Sequence, residues 1–390
     1  MSSPSLLTTL LILLVGVSLA RLSAGRLARW AVPVIVLELA VGFVLGNTVL
    51  PYAAIAPLSG LTELGVLTLF FQVGLEVRSD LLASRRATIA RMVALSFLAP
   101  LLAYGPLRGF GLAHAPALLC LAALSATGTG VTLRVLAQRK ALQTPSGRLL
   151  VGVSVLDDLP AIGLLSLAMA GAGRSLGPQG LAQQGLVVLP LLLGLLLAAG
   201  SWWLVDRWAR GRPGSPSAVP SSPLAILMLL IGSAWLGEVS GLTSLLGALW
   251  GGVLLGRLAP PRRRVRQVLA VLSEVFLPLY FIGVGMRIQA DTLRQPAAWS
   301  LAALLIVVAL LSKLACGLGI GERDRAAGVD RWLVVFGLMP RGLPGLVFAT
   351  TALGGGLIDA VQFSALVLMV TTTTVLGLLL LERRLLQLGS

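Results

Sequence analysis

Charge is what this sequence has least of. Only 12% of its 390 residues are Asp, Glu, Lys or Arg, about half the share found in a soluble domain, so no stretch supplies the polar surface that water demands. The single histidine, His114, has no partner with which to form a metal site. Two cysteines, Cys120 and Cys316, both lie in apolar runs, which excludes a disulfide framework. No cofactor motif is present, and no cofactor is expected. The formal charge of +15 invites a nucleic-acid reading, but the placement of the basic residues argues against it.

What the chain has instead is apolar residues, 57% of the total, gathered in runs long enough to cross a bilayer and separated by charged or Gly/Pro punctuation. Thirteen such spans are expected, from Leu6–Leu22 to Leu357–Leu381, in one all-α polytopic membrane domain covering 1–390. The spans that matter below are the fifth (Ala115–Leu136), sixth (Gly147–Gly171), seventh (Leu186–Val205), eleventh (Trp299–Ile320) and twelfth (Trp332–Leu353). Most basic residues fall in alternate loops, with Arg108, Arg174, Arg287 and Arg294 on the opposite side and Lys313 and Arg341 within spans. The positive-inside rule then puts the N-terminus outside and the C-terminus in the cytoplasm, in a cell inner membrane or plasma membrane. The first positive charges, Arg21, Arg26 and Arg29, follow the first apolar run rather than precede it, which favours a retained helix over a signal peptide. The basic charge faces the cytosol and not a nucleic acid.

The sequence also repeats itself. "LFFQVGLEVRSDLL" (Leu69–Leu82) returns as "LYFIGVGMRIQADTL" (Leu279–Leu293), "VGFVLG" (Val41–Gly46) as "WGGVLLG" (Trp250–Gly256), and "SATGTG" (Ser125–Gly130) is matched by "MPRGLPG" (Met339–Gly345). The offset is seven spans, an odd number, so the second copy is inverted relative to the first. The expected organisation is a first repeat over 30–171, linker helices over 172–240 and a second repeat over 241–381, each repeat with at least five helices. Inverted repeats with Gly- or Pro-interrupted helices at matching positions point to the binding site of a secondary transporter.

Both interruptions follow from residue chemistry. Gly128 and Gly130 weaken the fifth span, where Thr127 and Thr129 offer hydroxyls. Pro340 and Pro344, flanking Arg341, remove two donors from the twelfth. Broken backbone at membrane depth is tolerated only when buried in protein or lining a cavity. Two crossing breaks would create a polar centre of helix ends.

The sixth span carries "SVLDDLPAIG", two adjacent carboxylates where each charge costs about 2.5–3.5 kcal/mol to insert. A helix-capping role fails on position, because the pair lies about two turns inside the span. Asp157 and Asp158 project about 100° apart, so one can face a cavity while the other faces a neighbouring helix. Ser154 lies a turn earlier on a similar face, and Pro160 frees the Leu156 carbonyl. These are hard oxygen ligands suited to a small cation. Lys313 either snorkels to the interface or pairs with an aspartate. Glu38, also within a span, is a candidate for the pathway or for a structural role. A membrane enzyme built on the aspartate pair is the reading from another class, but no second acidic motif stands in a suitable loop.

The runs "SATGTGVTLRVLAQRKALQTPSGRLLVGVSVLDDLPAIG", "FIGVGMRI", "SKLACGLG" and "GLMPRG" resemble the monovalent cation:proton antiporter-2 family, over nearly the whole chain and most closely its short sodium/proton antiporters. That resemblance implies a thirteen-span homodimer with an ion site where two broken helices cross. It implies Asp158 as the essential ion- and proton-binding carboxylate, Asp157 as its partner, Lys313 as the base paired with Asp157, and Thr127 as the threonine of the first break. The implied reaction is exchange of Na+, with Li+ as a second substrate, for H+ by alternating access. Potassium is the alternative cation. Lysine rather than arginine at 313 favours an electrogenic cycle, because lysine gives up its proton readily when buried. Two positions depart from the family. Gly128 stands where Ser or Asp is usual, removing an expected oxygen ligand, and Leu343 stands where Glu often follows "PRG".

Overall fold

The computed structural model describes residues 6–27, 33–76, 85–128, 132, 135–136, 139–171, 196, 200–201, 203–205, 207, 222–240, 244–258 and 263–389. Among them every regular element is helical, as expected where lipid cannot satisfy backbone polar groups and each segment must bond internally. The main helices are α1 (Leu6–Leu27), α2 (Val34–Thr48), α3 (Ser59–Glu76), α4 (Arg86–Leu101), α5 (His114–Ser125), α6 (Pro145–Gly171), α7 (Pro223–Val239), α8 (Ser244–Leu258), α9 (Arg263–Met286), α10 (Pro296–Cys316), α11 (Arg331–Leu338), α12 (Gly342–Gly354) and α13 (Ala360–Gly389). Six segments among the described residues are long and apolar enough to cross a membrane, including Pro296–Gly319 and Ala360–Leu388. The chain is a multi-pass membrane protein. The seventh expected span lies largely outside the described residues, as does most of the linker around it, so the described helices do not test the full count of thirteen.

The chain divides into two compact units. The first comprises Met1–Ile55, Asp80–Met169 and Phe281–Ser390, the second Ala56–Ser79 and Ala170–Tyr280. In the first, α10 packs on α4 and α13, α12 lies against α5 and α13, and α1 lies on α2. In the second, α3 packs on α8 and α8 on α7.

The glycines of the repeated motifs show why those motifs recur. In the first unit, a Cβ on Gly42 would lie 2.9 Å from Ile282 Cα, and one on Gly46 would lie 2.6 Å from Met286 Cα. In the second unit, a Cβ on Gly252 would lie 3.0 Å from the Phe71 carbonyl carbon, and one on Gly256 would lie 2.9 Å from the Leu75 oxygen. With an offset of 210 between α2 and α8 and of 211 between α3 and α9, Gly42 corresponds to Gly252, Gly46 to Gly256, Ile282 to Phe71 and Met286 to Leu75. Each contact is therefore the image of the other, and in both the missing side chain lets two helix backbones touch.

The breaks lie where Gly and Pro predicted them. α5 stops at Ser125, and Ala126 turns extended (φ −60°, ψ 152°). The twelfth span divides into α11 and α12 around Pro340, and Gly342 opens α12 with φ +46°, a left-handed value that favours glycine. The start of α11 is fixed by Asp330, whose side chain accepts from the Leu333 amide at 2.7 Å.

A buried lysine–carboxylate site at two broken helices

The site is built within the first unit from four segments. α6 carries Asp157 about midway along its length, one turn before Pro160. α10 carries Lys313, α4 carries Ser96, and the chain leaving α5 carries Thr127. Asp157, Lys313, Ser96 and Thr127 are all fully buried. Lys313 Nζ lies 2.7 Å from Asp157 Oδ2, which excludes snorkelling and makes the pair the charged centre of the unit. Nζ also donates to Thr127 Oγ1 at 2.9 Å, to the Ser125 carbonyl at 3.2 Å and to Ser96 Oγ. The same Asp157 oxygen accepts from Ser96 Oγ at 2.8 Å and from Thr127 Oγ1.

A buried ion pair offsets its desolvation only when further hydrogen bonds satisfy the remaining valences. Here one carboxylate oxygen is saturated, whereas Asp157 Oδ1 is buried and has no hydrogen-bond partner among the described residues. An acceptor-only oxygen left without a donor suits a cation or a proton.

Arg341 supplies the second buried cation. Its NH1 donates to the Ala126 carbonyl at 2.9 Å, and its NH2 to the Ala309 carbonyl and to Ser312 Oγ, both at 3.0 Å. Lys313 and Arg341 thus bond Ser125 O and Ala126 O, carbonyls that the broken helix α5 leaves unpaired at its negative end. At the crossing itself, Gly128 N donates to the Pro340 carbonyl at 2.5 Å. Farther along, Thr132 Oγ1 donates to the Gly337 carbonyl at 2.9 Å. Thr374 of α13 accepts from Gly342 N at 3.2 Å, satisfying an amide at the start of α12.

Of the residues singled out in the sequence, the structure brings together Asp157, Thr127, Lys313, Gly128, Pro340 and Arg341. Pro344 lies in the first turn of α12, buried. Asp158 and Ser154 are in α6, but their side chains lie outside the described residues, and so do Thr129 and Gly130 altogether. Glu38 is buried on α2, a helix that contributes none of the site residues just described. Sequence reasoning missed Ser96 and Thr374, and it read Arg341 only as part of a break.

A family model described as sodium/hydrogen exchanger, transmembrane, matches residues 9–382. The chain belongs to the sodium/hydrogen exchanger family. Among curated exchangers it is 28% identical over 333 residues to the high-affinity Na(+)/H(+) antiporter NhaS3 of Synechocystis sp., covering 81% of this chain and 69% of that one. It is 27% identical over 365 residues to the Na(+)/H(+)-K(+) antiporter GerN of Bacillus cereus, covering 90% of each. A solved structure of the sodium proton antiporter MjNhaP1 from Methanocaldococcus jannaschii at pH 8 superposes with a TM-score of 0.66 at 17% identity, over 98% of this chain and 97% of that one. That likeness is one of fold, and it places the described helices in an exchanger architecture. Exchangers are transporters, so the membrane-enzyme reading of the aspartate pair falls away.

Proposed function

We propose that this exchanger moves Na+, with Li+ as a second substrate, against H+ across the plasma membrane, with cation and protons competing for the buried aspartates. The observation that carries the reading is the Asp157–Lys313 pair (2.7 Å) beside two broken helices, with Asp157 Oδ1 without a hydrogen-bond partner among the described residues. Asp158 is the carboxylate that holds either the cation or a proton. Asp157 and Lys313 titrate with it as a coupled set. Cation entry draws Asp157 away from Lys313, which then releases its proton; proton return restores the pair. Two protons move for one cation, and net charge crosses in each cycle. The paired glycine contacts in the two repeats support alternating access, because they give the two halves interchangeable contacts.

The test is transport by the purified protein in liposomes. An imposed pH gradient drives Na+ uphill, and Asp158→Asn abolishes this in a folded protein, because an amide has neither charge nor titratable proton. Retained sodium-dependent proton flux in Asp158→Asn removes that residue from the site. A second reading, potassium as the main cation, is favoured by Gly128, which offers no side-chain oxygen, and by the similarity to GerN, an Na(+)/H(+)-K(+) antiporter. Proton flux driven by K+ but not by Na+ in the same liposomes would establish it.

A further inference from the structure

The second break starts α12 without a capping side chain of its own. The residue before the helix is Arg341, whose guanidinium is turned away to Ala126 O, Ala309 O and Ser312 Oγ. A helix start leaves four amides without internal partners, and a buried one is costly to leave unmade. The buried Gly342 amide is met instead from another helix. Thr374 Oγ1 of α13 accepts from it at 3.2 Å while donating to the Val370 carbonyl of its own helix at 2.6 Å. Thr373 is as deeply buried, yet its hydroxyl turns to Met369 O (2.8 Å) and Val370 O (3.2 Å) within α13.

Thr374 is flanked by two close contacts to the same break. A Cβ on Gly377 would lie 2.7 Å from Pro340 Cδ, and a Cβ on Gly345 would lie 2.8 Å from Val370 Cγ2. Val370, Thr374 and Gly377 share one face of α13, at spacings of four and three, and meet Gly345, Gly342 and Pro340 in turn. The break in its turn grips the chain on both sides of Thr127. Arg341 NH1 holds the Ala126 carbonyl at 2.9 Å, and the Pro340 carbonyl holds the Gly128 amide at 2.5 Å. Thr127 Oγ1, between these two fixed points, donates to Asp157 Oδ2 and accepts from Lys313 Nζ at 2.9 Å.

We propose that Thr374 is a positioning residue of the exchange site: its hydroxyl caps the second broken helix from α13, fixes residues 340–342, and through them sets the place of the Thr127 hydroxyl beside Asp157. Capping from a neighbouring helix frees position 341 to carry an arginine rather than a capping side chain. The inference rests on the reading of Asp157 and Thr127 as part of the cation site. Thr374 touches neither residue and acts on the cation only through the crossing.

The test compares Thr374→Val, Thr374→Ser and Thr373→Val with the unmodified protein in liposomes, once size-exclusion shows each to be folded. Thr374→Val keeps the β-branched shape and loses the acceptor for Gly342 N. The KM for Na+ rises about three- to tenfold, with the maximal rate within about twofold, because the ligands are displaced and not removed. Thr374→Ser restores the KM, and Thr373→Val leaves it unchanged. Na+ itself is the second probe, through the rise it causes in unfolding temperature. That rise is smaller in Thr374→Val, but in a Thr127→Ala background, where the hydroxyl to be placed is gone, it is the same with and without Thr374→Val. An unchanged KM in a Thr374→Val protein of lowered stability overturns the proposal and leaves a purely structural contact. So does a loss that Thr374→Ser fails to restore, or a Thr374→Val effect that persists in full in the Thr127→Ala background. Thr374→Ala stands in if Thr374→Val does not fold, and failure of both to fold also decides for a structural contact. If the unmodified protein shows neither sodium-dependent proton flux nor stabilisation by Na+, the functional reading itself fails, which is distinguishable because no KM then exists to shift.

Discussion

Gly128 and Pro340 are joined main chain to main chain, the Gly128 amide donating to the Pro340 carbonyl over 2.5 Å. A Cβ on Gly128 would lie 2.7 Å from Gly342 N, 2.8 Å from Gly342 Cα and 2.9 Å from Pro340 O. All three neighbours are backbone, and Gly342 is itself held at φ +46°, so nothing there yields cheaply. Where the family resemblance implies a side-chain oxygen, Gly128 instead lets the two broken helices cross in backbone contact.

Gly128→Ser therefore does not restore a ligand. It forces the crossing apart, with a cost of about 1–3 kcal/mol for overpacking, a lower unfolding temperature and weaker exchange. A Gly128→Ser protein that binds Na+ more tightly at undiminished thermal stability would show that the crossing has room.

Arg341 reaches Ala126 O, Ala309 O and Ser312 Oγ from one planar fork. Lysine is a point charge on a single nitrogen and cannot span these acceptors. Arg341→Lys keeps the charge but loses charged hydrogen bonds worth about 1.5–3 kcal/mol each. Exchange is expected to fall at least about tenfold together with the unfolding temperature. Near-normal transport in Arg341→Lys would mean that charge alone is what the break requires.

Why some of this was legible and some was not has a physical basis. Asp157, Asp158 and Lys313 are compositional outliers in apolar helices, where each carries a large cost that only a site offsets; Pro340 shows as a lost helix donor, and Gly128, one of 45 glycines, shows only through its place in the repeated motif. Ser96 and Thr374 are not outliers, since a hydroxyl in an apolar helix commonly bonds its own preceding turn. Thr373 does this toward Met369 and Thr374 toward Val370, and nothing in the sequence shows that Thr374 also accepts from Gly342 N. Arg341 was visible as a charge, but its acceptors on α5 and α10 belong to distant segments that only the fold assembles. The glycine pairs Gly42/Gly252 and Gly46/Gly256 were visible as a repeat, while their packing role needed the contacts.

Asp324, in the short helix Glu322–Ala326 between α10 and α11, tests the fold's response to pH. Burial by itself would raise its carboxyl, but hydrogen bonds from Thr88 (2.9 Å) and Arg85 (2.7 Å) and from the Gly321 amide (3.2 Å) outweigh that and hold it below the ordinary value. Asp330 is held low in the same way, its burial outweighed by Arg384 (2.6 Å) and the Leu333 amide (2.7 Å). A carboxyl depressed on folding stabilises above its unfolded value of about 3.9 and loses that contribution as pH falls through the folded value. The unfolding temperature should be insensitive to these two groups from pH 8 to 5 and drop below about pH 4. Asp324→Asn should cost about 1–2 kcal/mol at neutral pH and flatten the acid drop. An unchanged acid drop in Asp324→Asn would leave the ion pair with Arg85 without a part in stability.

The last prediction concerns net charge. If one Na+ displaced one proton at Asp158 alone, no charge would cross in a cycle, and a membrane potential would be without effect. In the proposed scheme Lys313 adds a second proton to the count, because it is paired with Asp157 at 2.7 Å in the fully buried state and an unpaired buried ammonium sheds its proton readily. Arg341, which stays charged, cannot take that part; its bonds go to carbonyls and a hydroxyl, so it contributes a constant charge to both halves of the cycle. With two protons for each cation, one elementary charge moves per turnover, worth about 2.3 kcal/mol per 100 mV. A potassium-diffusion potential imposed on the liposomes should therefore shift the Na+ gradient at which proton flux reverses. Lys313→Arg keeps the pair but cannot release its proton at working pH, so any exchange it retains should ignore the potential. Voltage-insensitive flux in the unmodified protein would sink the two-proton scheme and leave one-for-one exchange at Asp158.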